Sequence, residues 1–275
     1  MPPDSITWQV FRNPLALFVG GVAAVILELA EPRVRAGVWD HSSFRTDPVE
    51  RLRRTGLAAM VTVYGARSTA EQMIAGVRRV HERVEGVADD GQAYRANDPE
   101  LLDWVQATAM HGFLHAYHLF VRPLPLAQRD SFYADGTAAA HLYGAQGSPR
   151  SEAELEALFG VMRPKLTRSP VIFEFLRIMR GAPVFPLPLR PVQHLLIRAA
   201  VEMLPRWFRD LAGLGPRSGL RSWELPLVRQ VGAAADRVRL DSSPAAEASL
   251  RLGLPRDYLW KAAATSASIR SSSPS

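Results

Sequence analysis

The amino-acid sequence predicts an all-α protein that consists of one large helical domain. Apolar residues recur at helical spacing along most of the chain, strand-like alternation is scarce, and helix-start signals recur. No repeat or linker interrupts residues 10–215, so we assign the domain to this range. We expect a helical extension over residues 216–262 and a disordered Ser/Ala-rich tail over residues 263–275.

The first third of the chain carries four predicted helical segments. The clearest helix start is at Asp47. Its side chain can cap the helix, Pro48 fits the first turn, and Glu50 can complete a capping box. After the fourth segment, a loop rich in glycine and aspartate leads to Ala96. The segments are Leu15–Ala30, a short helical or irregular piece at Arg33–Trp39, Pro48 to about Tyr64, and Thr69–Glu85.

The rest of the domain is predicted to be helical as well, with one exception. Asp98 and Pro99 open a long helix that we expect to end near Val121. Four prolines make Pro183–Pro191 an extended strap, and beyond Gly215 the helical pattern weakens. The later helices are Leu126–Tyr143, Ser151–Phe159, Ser169–Met179, His194–Leu204 and Arg206–Leu214.

Composition favours a soluble globular protein in the cytoplasm. Hydrophobic residues make up 47% of the chain and charged residues 22%, which is ordinary for such a protein. The absence of cysteine excludes disulfides, thiolate metal sites and cysteine nucleophiles, and it fits a reducing compartment. The apolar run Leu15–Leu29 is too short to cross a bilayer, so we expect a buried helix and no stable membrane span.

The net charge of +6 comes from arginine, because Lys165 and Lys261 are the only lysines. An arginine excess suits nucleic acid, anionic lipid or an anionic cofactor such as a tetrapyrrole, and it also arises from a high-GC genome. We expect no nucleic-acid partner, since no recognition motif or interleaved aromatic pattern accompanies the charge. Peripheral contact with a membrane stays open.

Several common catalytic and cofactor motifs are absent. The sequence has no GxGxxG after a strand, no GxxxxGK[ST], no HExxH and no GxSxG. Dinucleotide-binding, nucleoside-triphosphate, zincin and serine-hydrolase functions are therefore not indicated.

Two neighbouring predicted helices carry the candidate site. Arg51, Arg54 and Thr55 share one helix face, which suits an anionic or oxygen-carrying ligand, although a solvated face has the same pattern. His81 lies on the next helix, within an apolar arc. It is therefore either a hydrogen-bonded core histidine or a buried ligand. The arc consists of Ala70, Met73, Ile74, Val77 and Val84.

A second histidine group lies on the long helix. His111, His115 and His118 have the i, i+4, i+7 spacing that can hold a transition metal. A helical wheel points them away from Leu102, Phe113 and Phe120, and no carboxylate is spaced to join them. We therefore do not expect a metal site there.

Taken together, several segments resemble the catalytic domain shared by the MpaB-type oxygenases and the latex-clearing (rubber oxygenase) proteins. The resemblance covers roughly residues 12–215 and is most specific from His41 to Thr55. The segments that carry it are Glu31–Val38, His41–Pro48, Arg51–Thr55, Val77–Val84, Gly91–Pro99, Leu102–Val105 and Leu204–Arg209.

The resemblance implies an all-helical fold whose core encloses a cofactor or ligand cavity. Rubber-cleaving members hold haem b, and by resemblance His81 looks like the axial iron ligand. Arg51, Arg54 and Thr55 match the motif on the distal or propionate side, and His41 becomes a candidate supporting or proton-relay residue.

This chain departs from the family pattern at several positions. Arg54 stands where rubber-cleaving enzymes can place an iron-ligating lysine, and a guanidinium is a poor ligand, so five-coordinate or water-ligated iron is expected. Gln106 and Glu31 each replace a frequent histidine. Glu28 and Glu31 both lie in the region of the family's catalytic carboxylate, and the register between them stays open.

The function implied by the resemblance is a haem-dependent oxygenase that acts on an apolar organic substrate with dioxygen. The alternative is a haem-free helical protein that binds a lipid or another apolar ligand. The oxygenase hypothesis requires His81 to converge with Arg51 and Thr55. The sequence gives no oligomeric state.

Overall fold

A computed structural model describes residues 1–261 of the chain. Within this range the protein is built from α-helices, three short 3-10 turns and one two-stranded antiparallel sheet, which confirms the predicted all-α class. The predicted disordered tail at residues 263–275 lies outside the described residues, as does the last residue of the predicted extension. The domain boundaries stay predictions.

The chain begins with three helices whose first turns are capped by side chains. Asn13 accepts a hydrogen bond from the Ala16 amide, and Glu31 accepts one from the Val34 amide. The residue after each of these two caps is a proline, which suits the first helical turn. The helices are α1 (Ile6–Phe11), α2 (Pro14–Glu28) and α3 (Pro32–His41).

Helix α2 lies at the centre of the molecule, against the long helix α6 (Pro99–Phe120). The two backbones touch where Gly20 meets Gly112, because a Cβ added at Gly20 would lie 2.6 Å from the Gly112 carbonyl oxygen. In residues 1–261, no single helix has both the length and the apolarity needed to cross a membrane. The pair α2 and α3 passes that test jointly but is bent by 115°.

Helices α4 (Pro48–Tyr64) and α5 (Arg67–His81) form the next layer. Helix α5 ends four residues before the predicted boundary, since the chain turns into β1 (Glu85–Val87). This strand pairs with β2 (Ala93–Arg95), so the segment predicted as a loop contains a hairpin. The sequence did not indicate it because strands of three residues are too short for alternation to be visible.

The remaining helices surround the α2–α6 pair. The predicted strap at residues 183–191 contains one 3-10 turn, Leu187–Leu189, so it is not extended throughout. The other 3-10 turns are Arg163–Lys165 and Pro216–Ser218. The helices are α7 (Leu126–Tyr143), α8 (Glu152–Met162), α9 (Pro170–Gly181), α10 (Arg190–Glu202), α11 (Arg206–Ala212), α12 (Glu224–Arg237) and α13 (Pro244–Arg251).

The helices after residue 215 pack on the same core. Asn13 donates a hydrogen bond to the Gly232 carbonyl at 3.1 Å, and Arg12 forms an ion pair with Asp236 at 2.5 Å. Helix α12 contacts both α2 and α6, and α13 contacts α4.

Candidate functional site

Three ionisable side chains from three different helices are linked electrostatically through Arg51. Glu28 is the last residue of α2, Arg51 lies in the first turn of α4, and His81 is the last residue of α5. Burial is the largest influence on the pKa of each residue, and the Arg51 charge also acts on the pKa values of both Glu28 and His81. The end of α2, the start of α4 and the end of α5 therefore share one electrostatic environment.

Glu28 is the acidic member of this group. Burial raises its pKa to about 7, and the Arg51 charge and a hydrogen bond from Thr108 act in the opposite direction. The Thr108 hydroxyl, on the adjoining α6, lies 3.3 Å from Glu28 Oε1. A carboxyl group in this state can hold or release a proton near neutral pH.

Arg51 is held in place by its own helix. Its Nη1 donates to the Thr55 hydroxyl at 2.8 Å, and that hydroxyl donates to the Arg51 carbonyl oxygen at 3.0 Å. Burial lowers the pKa of Arg51, the nearby Arg54 lowers it further, and Glu28 opposes both. The guanidinium nevertheless remains a cation, since no protein environment deprotonates arginine readily.

Arg54 and Thr55 lie on the exposed side of α4. The Thr55 hydroxyl is already engaged with Arg51, so its clearest role is to orient that guanidinium. Arg54 adds positive charge beside Arg51.

His81 is half-buried at the end of α5. Burial lowers its pKa, Arg51 lowers it further, and Asn97 acts in the opposite direction. The imidazole is therefore neutral at neutral pH, which is the form that can bind a metal. Asn97 donates to the Arg78 carbonyl at 3.1 Å, while its buried Oδ1 makes no well-formed hydrogen bond to any residue that the structure describes.

His41 is placed apart from these contacts. It is the exposed last residue of α3, and its Nε2 lies 3.2 Å from the Tyr94 hydroxyl on β2. No hydrogen bond within residues 1–261 joins His41 to Glu28 or His81.

The histidine group on α6 differs from its sequence prediction. His111 is buried with 4% of its surface exposed, so one member of the group lies in the core. His115 Nε2 lies 3.3 Å from Glu152 on α8, which Arg129 also contacts at 2.6 Å. His118 instead accepts a hydrogen bond from a backbone amide at 2.9 Å.

A carboxylate does therefore join this group, and it comes from another helix, which spacing along α6 alone could not reveal. Among the residues that the structure describes, no cluster of three or more potential ligands is arranged to hold a metal ion.

The sequence did not indicate Thr108 or Asn97 as site residues. It left open whether Glu28 or Glu31 corresponds to the family's catalytic carboxylate. A glutamate at the end of an otherwise apolar helix was the available signal for Glu28. Thr108 and Asn97 gave no comparable signal, because a threonine inside a helix and an asparagine before Asp-Pro are both common.

Residues 8–238 match the family model for the catalytic domain of ER-bound oxygenase mpaB/B' and rubber oxygenase. The chain belongs to this family. No curated protein and no solved structure matched the sequence. Membership in the mpaB/rubber oxygenase family indicates an oxygenase-type enzyme that acts on an organic substrate, and it implies dioxygen as the second substrate.

Proposed function

We propose that this member of the mpaB/rubber oxygenase family is a haem b-dependent oxygenase with an apolar organic substrate and with His81 as the axial iron ligand. The observation that supports this most directly is the convergence of Glu28, Arg51 and His81 from three helices, with linked pKa values. Arg51 links the other two, because its charge acts on both the Glu28 carboxyl and the His81 imidazole.

The residues around His81 fit a haem. The imidazole is kept neutral by burial and by Arg51, so its nitrogen lone pair is available. Iron-bound imidazoles usually donate their other ring N–H to an acceptor, and the buried Oδ1 of Asn97 beside His81 is such an acceptor. Arg51 and Arg54 supply the positive charge that propionate groups require.

Haem, when bound, would supply the iron chemistry that activates dioxygen. The protein contributes proton control, because Glu28 can hold or release a proton at its carboxyl group near neutral pH. Thr108 donates to Oε1 of this carboxyl and orients it, and Thr55 orients the Arg51 guanidinium. Arg54 has no lone pair to offer a metal, so it would contribute positive charge and not a ligand.

His41 belongs to the proposal as a proton-relay candidate. Its ring lies within hydrogen-bonding distance of Tyr94, so a relay would pass through the Tyr94 hydroxyl. Exposure of His41 would then connect that hydroxyl with solvent.

The decisive experiment is purification of the full chain from haem-supplied cells, followed by iron analysis and absorption spectroscopy. We expect stoichiometric iron and a Soret band, both lost in His81→Ala. The matched control is His194→Ala, because His194 is an exposed histidine on α10.

Protein without iron, or a His81→Ala variant with an unchanged Soret band, would refute the haem assignment. Retention of an apolar ligand by iron-free protein would support the haem-free binding protein in its place.

A further inference from the structure

The connection between α9 and α10 exposes apolar side chains. Leu187 is 78% exposed, more than any other exposed large hydrophobic residue in the described part of the chain, and Leu189 is 50% exposed. Both project from the segment 183–191, which we call the leucine loop. The two leucines expose apolar surface within one short segment, and the exposure of Leu187 is the highest among the exposed large hydrophobic residues described.

The leucine loop is rigid. Gln193 is fully buried, and its amide nitrogen donates to the carbonyls of Met179 at 2.7 Å and Ala182 at 2.8 Å. Its side-chain oxygen accepts from the Phe185 amide at 3.1 Å. The four prolines of the loop further restrict its backbone. The two leucines are therefore held outward by the fold, and docking them would cost little conformational entropy.

Arginines accompany the leucine loop. Arg190 lies near the end of the loop, and Arg177 and Arg180 are exposed on the last turns of α9. Glu174 is the only acidic residue in the segment 170–195, and it lies 3.8 Å from Arg177. The chain segment that carries the two leucines therefore has an excess of positive charge.

We propose that the leucine loop docks on the surface of an anionic phospholipid membrane. Leu187 and Leu189 would enter the boundary between headgroups and acyl chains, and Arg177 and Arg180 would contact lipid phosphates. A rigid apolar tip with adjacent cations matches the two forces that hold proteins at such surfaces, apolar burial and attraction to negative lipid. This inference is independent of the proposed oxygenase reaction.

The test is co-sedimentation of the full-length protein with vesicles. We expect binding to phosphatidylcholine vesicles that contain phosphatidylglycerol, weak binding to pure phosphatidylcholine, and release by high salt. The double variant L187S/L189S should bind about tenfold more weakly, because two apolar side chains no longer leave water. R177E/R180E should lose the preference for anionic vesicles.

Matched controls separate the loop from general surface effects. Leu126→Ser replaces a leucine that is 55% exposed at the start of α7, and R150E/R217E reverses two exposed arginines outside the loop. Both controls should bind vesicles as the wild type does. Circular dichroism checks that every variant is folded.

Two outcomes would overturn the proposal. One is equal vesicle binding by the wild type and both loop variants. The other is absence of vesicle binding together with conversion of a wild-type dimer into a monomer by L187S/L189S, measured by light scattering. That second result would assign the leucine loop to a contact between copies of this chain.

Discussion

The carboxyl group of Glu28 makes the stability of this fold depend on pH. Burial raises its pKa from 4.5 to about 7, so the folded protein binds this proton more tightly than the unfolded chain does. The contribution of Glu28 to the free energy of unfolding is therefore greatest below the unfolded pKa, and it falls as the pH rises towards the folded pKa. A salt-bridged carboxylate with a depressed pKa would have the opposite effect.

The magnitude follows from the two pKa values. Between about pH 5 and about pH 8, ionisation of Glu28 should lower the free energy of unfolding by about 2.5 kcal/mol. Glu28→Gln keeps the side-chain shape and removes this titration. The stability of the variant relative to the wild type should therefore increase by about 2.5 kcal/mol over the same pH range. The Arg51 charge is unopposed in the variant at both pH values, so it does not contribute to this difference.

Urea unfolding of protein prepared without added haem, followed by circular dichroism at both pH values, measures this quantity. Glu156→Gln is the control, because it makes the same substitution at an exposed position on α8 away from the candidate site. The difference in the free energy of unfolding between Glu28→Gln and the wild type could instead be the same at both pH values. In that case Glu28 does not have the raised pKa on which its proposed proton role depends.

Two further predictions concern the core and the site. Gly112→Ala should destabilise the fold by about 2 kcal/mol or more in thermal or urea unfolding, because the new Cβ would collide with the Gly20 carbonyl. Gly56→Ala, where a Cβ meets nothing within 4 Å, should be neutral or stabilising, and equal effects of the two changes would contradict this packing. Arg51→Gln should raise the pKa of His81 in an NMR titration, since it removes a nearby positive charge. Arg53→Gln, on the exposed side of the same helix, should leave that pKa unchanged, and an unaltered value in Arg51→Gln would show that the two side chains are not coupled.

The helices and their starts could be predicted from the sequence, because the signals that define them are local. The cap at Asp47 forms as expected, with its side chain accepting from the Glu50 amide at 3.2 Å. The second half of the capping box does not form, since the Glu50 carboxylate binds Arg53 instead. The family was also indicated by contiguous segments, and the family match confirms it.

The arrangement of the candidate site was decided by tertiary structure. Glu28, Arg51 and His81 lie on separate helices, and whether they meet depends on how α2, α4 and α5 pack, which no pattern within one helix encodes. The contact between His115 and Glu152 has the same origin, because it joins α6 to α8. Spacing rules describe neighbours on one helix, so the sequence alone identified Arg51 and His81 as candidate residues. Electrostatic interactions depend on distance in space, so the shifts in their pKa values follow from the packing of the helices.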